Sequence, residues 1–357
     1  MKAVWIPKFG KPDVLEVREA EDPTPGPGQV RIRVRASGIN FAEIMARQGL
    51  YQDAPPPPMV VGYEVSGVID AVGEGVTDKS EGQRVLATTQ FGGYADTVCV
   101  DSEQAYVLPE SMSFEQGAAL PVTYLTAYHM LFNVFRVRPG DHVLIHQAAG
   151  GVGTAASQLC RSIGGVTSFG TASAAKHDYV RANGCTHPID YHSVDYVDVI
   201  NELTAGRGVD VVLDALGGND WKKGYSRLRP GGMLVPFGWA NMAKFGKRRM
   251  THVLGQFTNM PWWTPMKLMH ENKGVSGVNM GHLWDEREMM RKAVRDGGLD
   301  KMDEIQEIIE STGALQYTAA RAQEAADIAI NPLSGIPDSD YKEALIAIAD
   351  FAVKRRS

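Results

Sequence analysis

Val30-Arg31-Ile32-Arg33-Val34-Arg35-Ala36 alternates apolar and charged side chains. A period of two turns every second side chain to one face, so the stretch predicts a half-buried strand. Further strands are expected over Val60–Val72, Arg84–Thr88 and Tyr94–Val100, each bounded by Gly or Asp. Pro23–Gly28 and Gly73–Gly75 read as turns, and Pro55–Pro58 as a rigid extended loop. Long helical periodicity is absent, so residues 1–122 predict a mostly β module.

From 123 to 285 the pattern changes. Apolar runs at His142–His146, Val166–Phe169, His187–Asp190, Val209–Asp214, Met233–Phe237 and Val275–Val278 predict strands. Amphipathic stretches such as Lys176–Asn183 and Tyr196–Leu203 lie between most of them. Strand–helix alternation of this kind predicts an α/β fold with a doubly wound parallel sheet. Residues 286–357 lose the strand signal. Asp303–Ser311, Tyr317–Ile330 and Tyr341–Lys354 have helical spacing, and Pro332, Gly335 and Pro337 break the second from the third.

Composition narrows the function. The 357 residues carry 36 Lys+Arg against 42 Asp+Glu, a net charge of -6, which argues against nucleic acid as a partner. No apolar run approaches the ~20 residues of a membrane-spanning helix, and the first residues show no secretory signal. Three scattered cysteines, Cys99, Cys160 and Cys185, build no disulfide framework, and a reducing, cytoplasmic location is expected.

The strongest chemistry follows the strand at 142–146. Ala148-Ala149-Gly150-Gly151-Val152-Gly153 is the dinucleotide fingerprint with Ala148 in place of its first glycine. Gly150 lets the backbone approach a pyrophosphate, Gly153 lets the helix pack on the strand, and the helix N-terminus offers free N–H groups. The bland alternative is a tight strand–helix turn without a ligand. Beyond the second strand, Thr171-Ala172-Ser173-Ala174-Ala175-Lys176 contains no acid. A carboxylate there would hold a ribose 2′-hydroxyl, whereas hydroxyls and a lysine suit a 2′-phosphate, so NADPH is favoured over NADH. Alone, Lys176 reads equally well as a solvated helix residue.

Ala36–Glu43, Met45–Tyr51, Ala148–Gly153, Phe169–Ser173 and His187–Tyr191 together resemble the medium-chain dehydrogenase/reductase superfamily over residues 1 to about 290. More narrowly they are similar to the zinc-free quinone oxidoreductases of ζ-crystallin type, in the branch of the vesicle amine transport protein homologues. The resemblance implies a GroES-like β domain joined to a Rossmann domain, with the active site between them. It implies that Asn40 and Tyr51 face nicotinamide and substrate, and that Thr126 touches the cofactor at the domain junction. It places Ser173, Lys176 and Tyr191 around the 2′-phosphate, and Phe237, Gly238 and Asn241 near the nicotinamide. Without it, Tyr51 reads as a packing residue and Asn40 as a turn residue.

Zinc-dependent relatives use a Cys where Asn40 stands and a Gly-His-Glu element where this chain has Gly62-Tyr63-Glu64, so no metal is expected. The implied activity is hydride transfer from NADPH to a quinone or other conjugated enone, which disperses charge without a Lewis acid. A homodimer is expected. An alternative is a non-catalytic cofactor-binding scaffold on membranes or lipids, using the apolar stretch Met260–Met266.

Asp300–Ser357 resembles instead the C-terminal helices of polyprenyl diphosphate synthases, through Gly313–Thr318, Ala322–Ala329, Leu333–Ser339 and Ala344–Arg355. The Asp-rich motifs that hold Mg²⁺ and diphosphate in that family are absent from the chain, so prenyl transfer is not expected. The chain therefore reads as composite, lacking the segments that normally return to the β domain, and an inactive composite is the third reading.

Overall fold

The computed structural model describes residues 1–241 and 260–283. Two antiparallel sheets come first. Strands β1 (Lys2–Ile6), β2 (Glu16–Glu19), β3 (Gln29–Ser37), β4 (Met59–Val60), β5 (Glu64–Val72), β6 (Arg84–Thr88), β7 (Thr97–Asp101) and β8 (Ala105–Val107) form a three-stranded sheet, β2-β1-β4, and a five-stranded one, β7-β3-β5-β6-β8. The alternation in β3 does what its period requires. Val30 and Ile32 enter the core with Val65, Ile69, Val85 and Val100. Arg31 and Arg33 turn outward, and both reach the Asp70 carboxylate.

The run expected as one strand over Val60–Val72 is two. Gly62 adopts φ 111° between β4 and β5, and a side chain there would lie 2.6 Å from the Tyr94 backbone nitrogen. Only glycine fits that turn. Three short helices also interrupt or close the module: α1 (Phe41–Arg47), α2 (Phe114–Ala119) and α3 (Pro121–Tyr128). With at most eight residues each, they have too few turns to show a helical period. The junction expected near residue 122 falls inside α3.

Beyond it lie β9 (His142–Ile145), α4 (Gly151–Ile163), β10 (Thr167–Ala172), α5 (His177–Ala182), β11 (His187–Asp190), α6 (Tyr196–Leu203), β12 (Val209–Asp214), α7 (Asn219–Arg227), β13 (Leu228–Pro236), α8 (Pro265–Glu271) and β14 (Gly274–Val275). They build a six-stranded sheet in the order β11-β10-β9-β12-β13-β14, all parallel. Val143, Ile145, Val211 and Leu213 pack on one face, and Leu144, Phe169, Val212 and Leu234 on the other. Both faces are covered, which explains why these strands read as continuous apolar runs. β10 extends three residues past the expected Phe169, so Thr171 lies inside the strand. The α/β expectation of a GroES-like antiparallel domain and a Rossmann-type parallel sheet holds. The expected helices and resemblance of 286–357 lie outside the described residues.

Candidate active site

β9 ends in a turn whose left-handed residue is Gln147, at φ 53°. Residue 148 is not the strained position, so alanine is tolerated where the fingerprint has its first glycine. Ala148 is buried beneath the turn, and its N–H donates to the Thr171 carbonyl at 3.0 Å. Gly150 is the N-cap of α4. A Cβ on Gly153 would come within 2.3 Å of the Gln147 carbonyl oxygen and 2.6 Å of Ala148 Cα, so helix and turn touch there without room for a side chain. The N-terminus of α4, with Gly150, Gly151, Val152 and Gly153, opens into a cleft of ≈ 910 Å³. Its first N–H groups have no intrahelical partner.

Other lining residues come from the β module. Asn40 caps α1, and the Glu43 carboxylate accepts the Asn40 backbone N–H in a capping box. The Asn40 amide donates from Nδ2 to Glu64 Oε1 at 2.8 Å, and Glu64 Oε2 accepts the Val122 N–H at 2.7 Å. Burial pushes both carboxyls up to about 7, and for Glu43 the charge of Glu64 adds to it. Tyr51 packs edge-on against Tyr63, with centroids 6.2 Å apart. Burial first, then the Asp53 charge, pushes its phenol up to about 12.

Asn40, Tyr51, Thr126, the glycine turn, Phe237 and Gly238 all line this one cleft. Thr126 spends its hydroxyl on the Val122 carbonyl at 2.6 Å. Asn241 stands just outside, donating from Nδ2 to the Gly217 carbonyl and Asp220. Ser173 and Tyr191 directly follow the paired residues Ala172 and Asp190, so they sit side by side at the carboxyl edge of β10 and β11. Lys176 is exposed in the 3₁₀ turn after β10, and Tyr191 is exposed beside His192. Thr171 is not at that edge. Its hydroxyl is buried and bonded to His146 and to the Gln147 N–H.

The sequence reading missed several residues of the cleft. Trp221 and Trp239 lie with tilted rings, centroids 5.3 Å apart, and Trp239 packs with Met45 and Tyr51. Ile39 and Phe41, at 80% and 46% exposure, add apolar side chains to the lining. Glu43 was legible as the fourth residue of Asn40-Phe41-Ala42-Glu43, a helix-start signature. The sequence singles out Glu64 only within Gly62-Tyr63-Glu64; its tie to Asn40 and Val122 had no local signal, because those partners are 24 and 58 residues away.

Residues 26–110 match the family described as alcohol dehydrogenase GroES-like domain, and residues 151–295 that described as zinc-binding dehydrogenase. Zinc itself does not fit the residues here. Tyr63 offers a phenol, and both Glu64 oxygens are engaged by N–H donors. Among the described residues no three His, Cys, Asp or Glu side chains converge. A nicotinamide dinucleotide does fit, through the glycine turn and the open α4 N-terminus. The chain is 48% identical over 280 residues to the synaptic vesicle membrane protein VAT-1 homolog of Rattus norvegicus, covering 78% of this chain and 69% of that protein. It is 36% identical over 241 residues to the quinone oxidoreductase of Homo sapiens, covering 67% and 73%. The crystal structure of Escherichia coli quinone oxidoreductase complexed with NADPH superposes with a TM-score of 0.72 at 27% identity, covering 88% of this chain and 89% of that one. A glycine-turn parallel sheet, a capped β module and these relatives together place the chain in the medium-chain dehydrogenase/reductase superfamily, in its quinone oxidoreductase and VAT-1 branch.

Proposed function

We propose that this chain is an NADPH-dependent, zinc-independent reductase acting on a quinone or other conjugated enone. One observation carries the reading: the α4 N-terminus and the pair Asn40 and Tyr51 line a single cleft. Gly150, Gly151, Val152 and Gly153 would hold the pyrophosphate. Ser173, Lys176 and Tyr191 would hold the 2′-phosphate, with Thr171 bracing the turn from below. Thr126, Phe237, Gly238 and Asn241 would border the nicotinamide. NADPH, when bound, supplies the hydride.

The chain's own residues orient the acceptor and manage charge. No Lys or Arg lines the cleft among the described residues. An acceptor that disperses negative charge over its own conjugated system suits such a wall. Asn40 would donate a hydrogen bond to the developing oxyanion. Tyr51, kept neutral at physiological pH, holds a proton at its phenol oxygen for that oxyanion. Ile39, Phe41 and Met45 exclude water and bring the reacting atoms together.

The domain limits 1–122, 123–285 and 286–357 belong to the same reading. So does a cytoplasmic homodimer, formed through the β14 edge that ends the described sheet. The test is NADPH consumption with a quinone, with a simple aldehyde as control. Turnover of the quinone alone is expected. NADPH binding without consumption by any quinone or enone would sink the reductase reading. It would leave the scaffold reading, which the 91% exposure of Trp262 favours and vesicle flotation would check.

A further inference from the structure

Glu64 is 1% exposed, yet it is tied to three separate parts of the site. One oxygen accepts the Asn40 side-chain amide and the other accepts the Val122 N–H at the start of α3. Its backbone carbonyl accepts the Gly38 N–H at 3.1 Å. A Cβ on Gly38 would lie 2.2 Å from Glu64 Oε1, so the carboxylate reaches Asn40 only because residue 38 has no side chain. The other titratable groups facing it are Glu43 from α1 and Tyr94 from the loop before β7.

An asparagine amide has a donor end and an acceptor end that differ little in shape, so its neighbours decide which way it points. An ionised carboxylate only accepts. It therefore forces the nitrogen of Asn40 toward itself and uses one of its two hydrogens, leaving the other for a ligand in the cleft. A protonated carboxyl must itself donate from one oxygen, so Asn40 or Val122 then loses its acceptor.

We infer that Glu64 is a positioning residue, whose ionised carboxylate fixes the Asn40 amide as a hydrogen-bond donor and anchors it to α3. The kinetic consequence rests on the reductase reading above; the geometric one does not. Burial holds the Glu64 carboxyl near about 7, and Glu43 likewise, so the switch falls in an accessible range. Turnover should therefore rise with pH through that range as Glu64 ionises.

The experiment uses the full chain isotope-labelled at asparagine, with the Asn40 side-chain amide resonance identified by its loss in Asn40→Ser. In the parent protein that resonance should titrate around about 7. In Glu64→Gln it should not. Glu64→Asp, which keeps the charge, should restore part of the titration. Glu43→Gln should keep it and move it to lower pH, because a like charge has gone. In parallel, Glu64→Gln should lower kcat with a quinone by about 10²-fold and flatten the acid limb, leaving KM for NADPH unchanged. An Asn40 amide that ignores pH in the parent, or titrates alike in Glu64→Gln, overturns the inference. If the parent turns over no quinone or enone, the reductase reading falls and the amide titration alone still decides the role of Glu64.

Discussion

The hydroxyl of Thr171 stands 3.1 Å from Nδ1 of His146, and the same oxygen accepts the Gln147 N–H at 3.2 Å. On its other side the His146 ring brings Nε2 to 3.8 Å from Asp214 Oδ2. The Thr171 hydroxyl thus ties β10 to the residues that follow β9, beneath the glycine turn. Thr171→Val should leave the buried His146 Nδ1 without a partner and cost about 1–3 kcal/mol. It should also loosen Gln147 and weaken NADPH binding. A denaturation midpoint and NADPH affinity both equal to the parent's would refute this role.

The same His146–Asp214 pair sets a pH dependence. Burial pushes His146 down to about 4 and Asp214 up to about 6. For His146 the unfolded chain takes the proton first, so stability is lost as pH falls from 6.5 toward 4. For Asp214 the folded chain takes it first, so stability is gained as pH falls from about 6 toward 3.8. The two oppose each other over one window. Asp214→Asn removes the gain and keeps the loss, so this variant should lose stability on acidification faster than the parent. Urea midpoints that fall in parallel for both proteins would contradict it.

Gly153→Ala tests the contact between α4 and the turn. Its methyl carbon would sit 2.3 Å from the Gln147 carbonyl oxygen, and backbone rather than a pliable side chain has to move. We expect a loss of about 1–3 kcal/mol and a displaced helix N-terminus. Calorimetry and NADPH titration would read both. A variant as stable as the parent would mean the turn relaxes at no cost.

Cofactor preference can be read without any acceptor. At ~100 times Kd a ligand adds ~2.7 kcal/mol to the folded state. For a domain of about 150–250 residues each kcal/mol moves Tm by roughly 2–4 °C. NADPH should raise Tm more than NADH does, and Lys176→Ala with Ser173→Ala should narrow the gap. Equal shifts from both nucleotides in the parent would remove the 2′-phosphate assignment.

Asn40→Ala should lower kcat with a quinone by about 10²–10³, the usual cost of removing an oxyanion donor. Tyr51→Phe should lower it less if water can supply the proton in its place. The double variant with unchanged kcat/KM would exclude both residues from the chemistry.

Where the chemistry is local, it was legible in order along the chain. Arg84–Thr88, Tyr196–Leu203 and Val209–Asp214 coincide with β6, α6 and β12, because a period of side chains or an unbroken apolar run is a local property. The Gly150–Gly153 turn was equally plain, since strand, turn and helix follow one another directly. α1 escaped because seven residues carry barely two turns. Thr171 was assigned outward because nothing in the sequence says where β10 stops. The strand runs on to Ala172, and that turns the hydroxyl inward.

The sequence by itself determined most strands of the parallel sheet, the glycine turn and the side chains available for the reaction. Only the tertiary structure decided what those side chains face. Asn40 and Glu64 are 24 residues apart, and Val122 lies 58 beyond Glu64. Asp53 meets Asn279 across 226 residues, closing the rim of the cleft. Such pairs have no periodicity and no spacing rule. They arise when two sheets, each satisfied within itself, bury their ends against one another, and the hydrogen-bonding needs of the buried groups then select the partners.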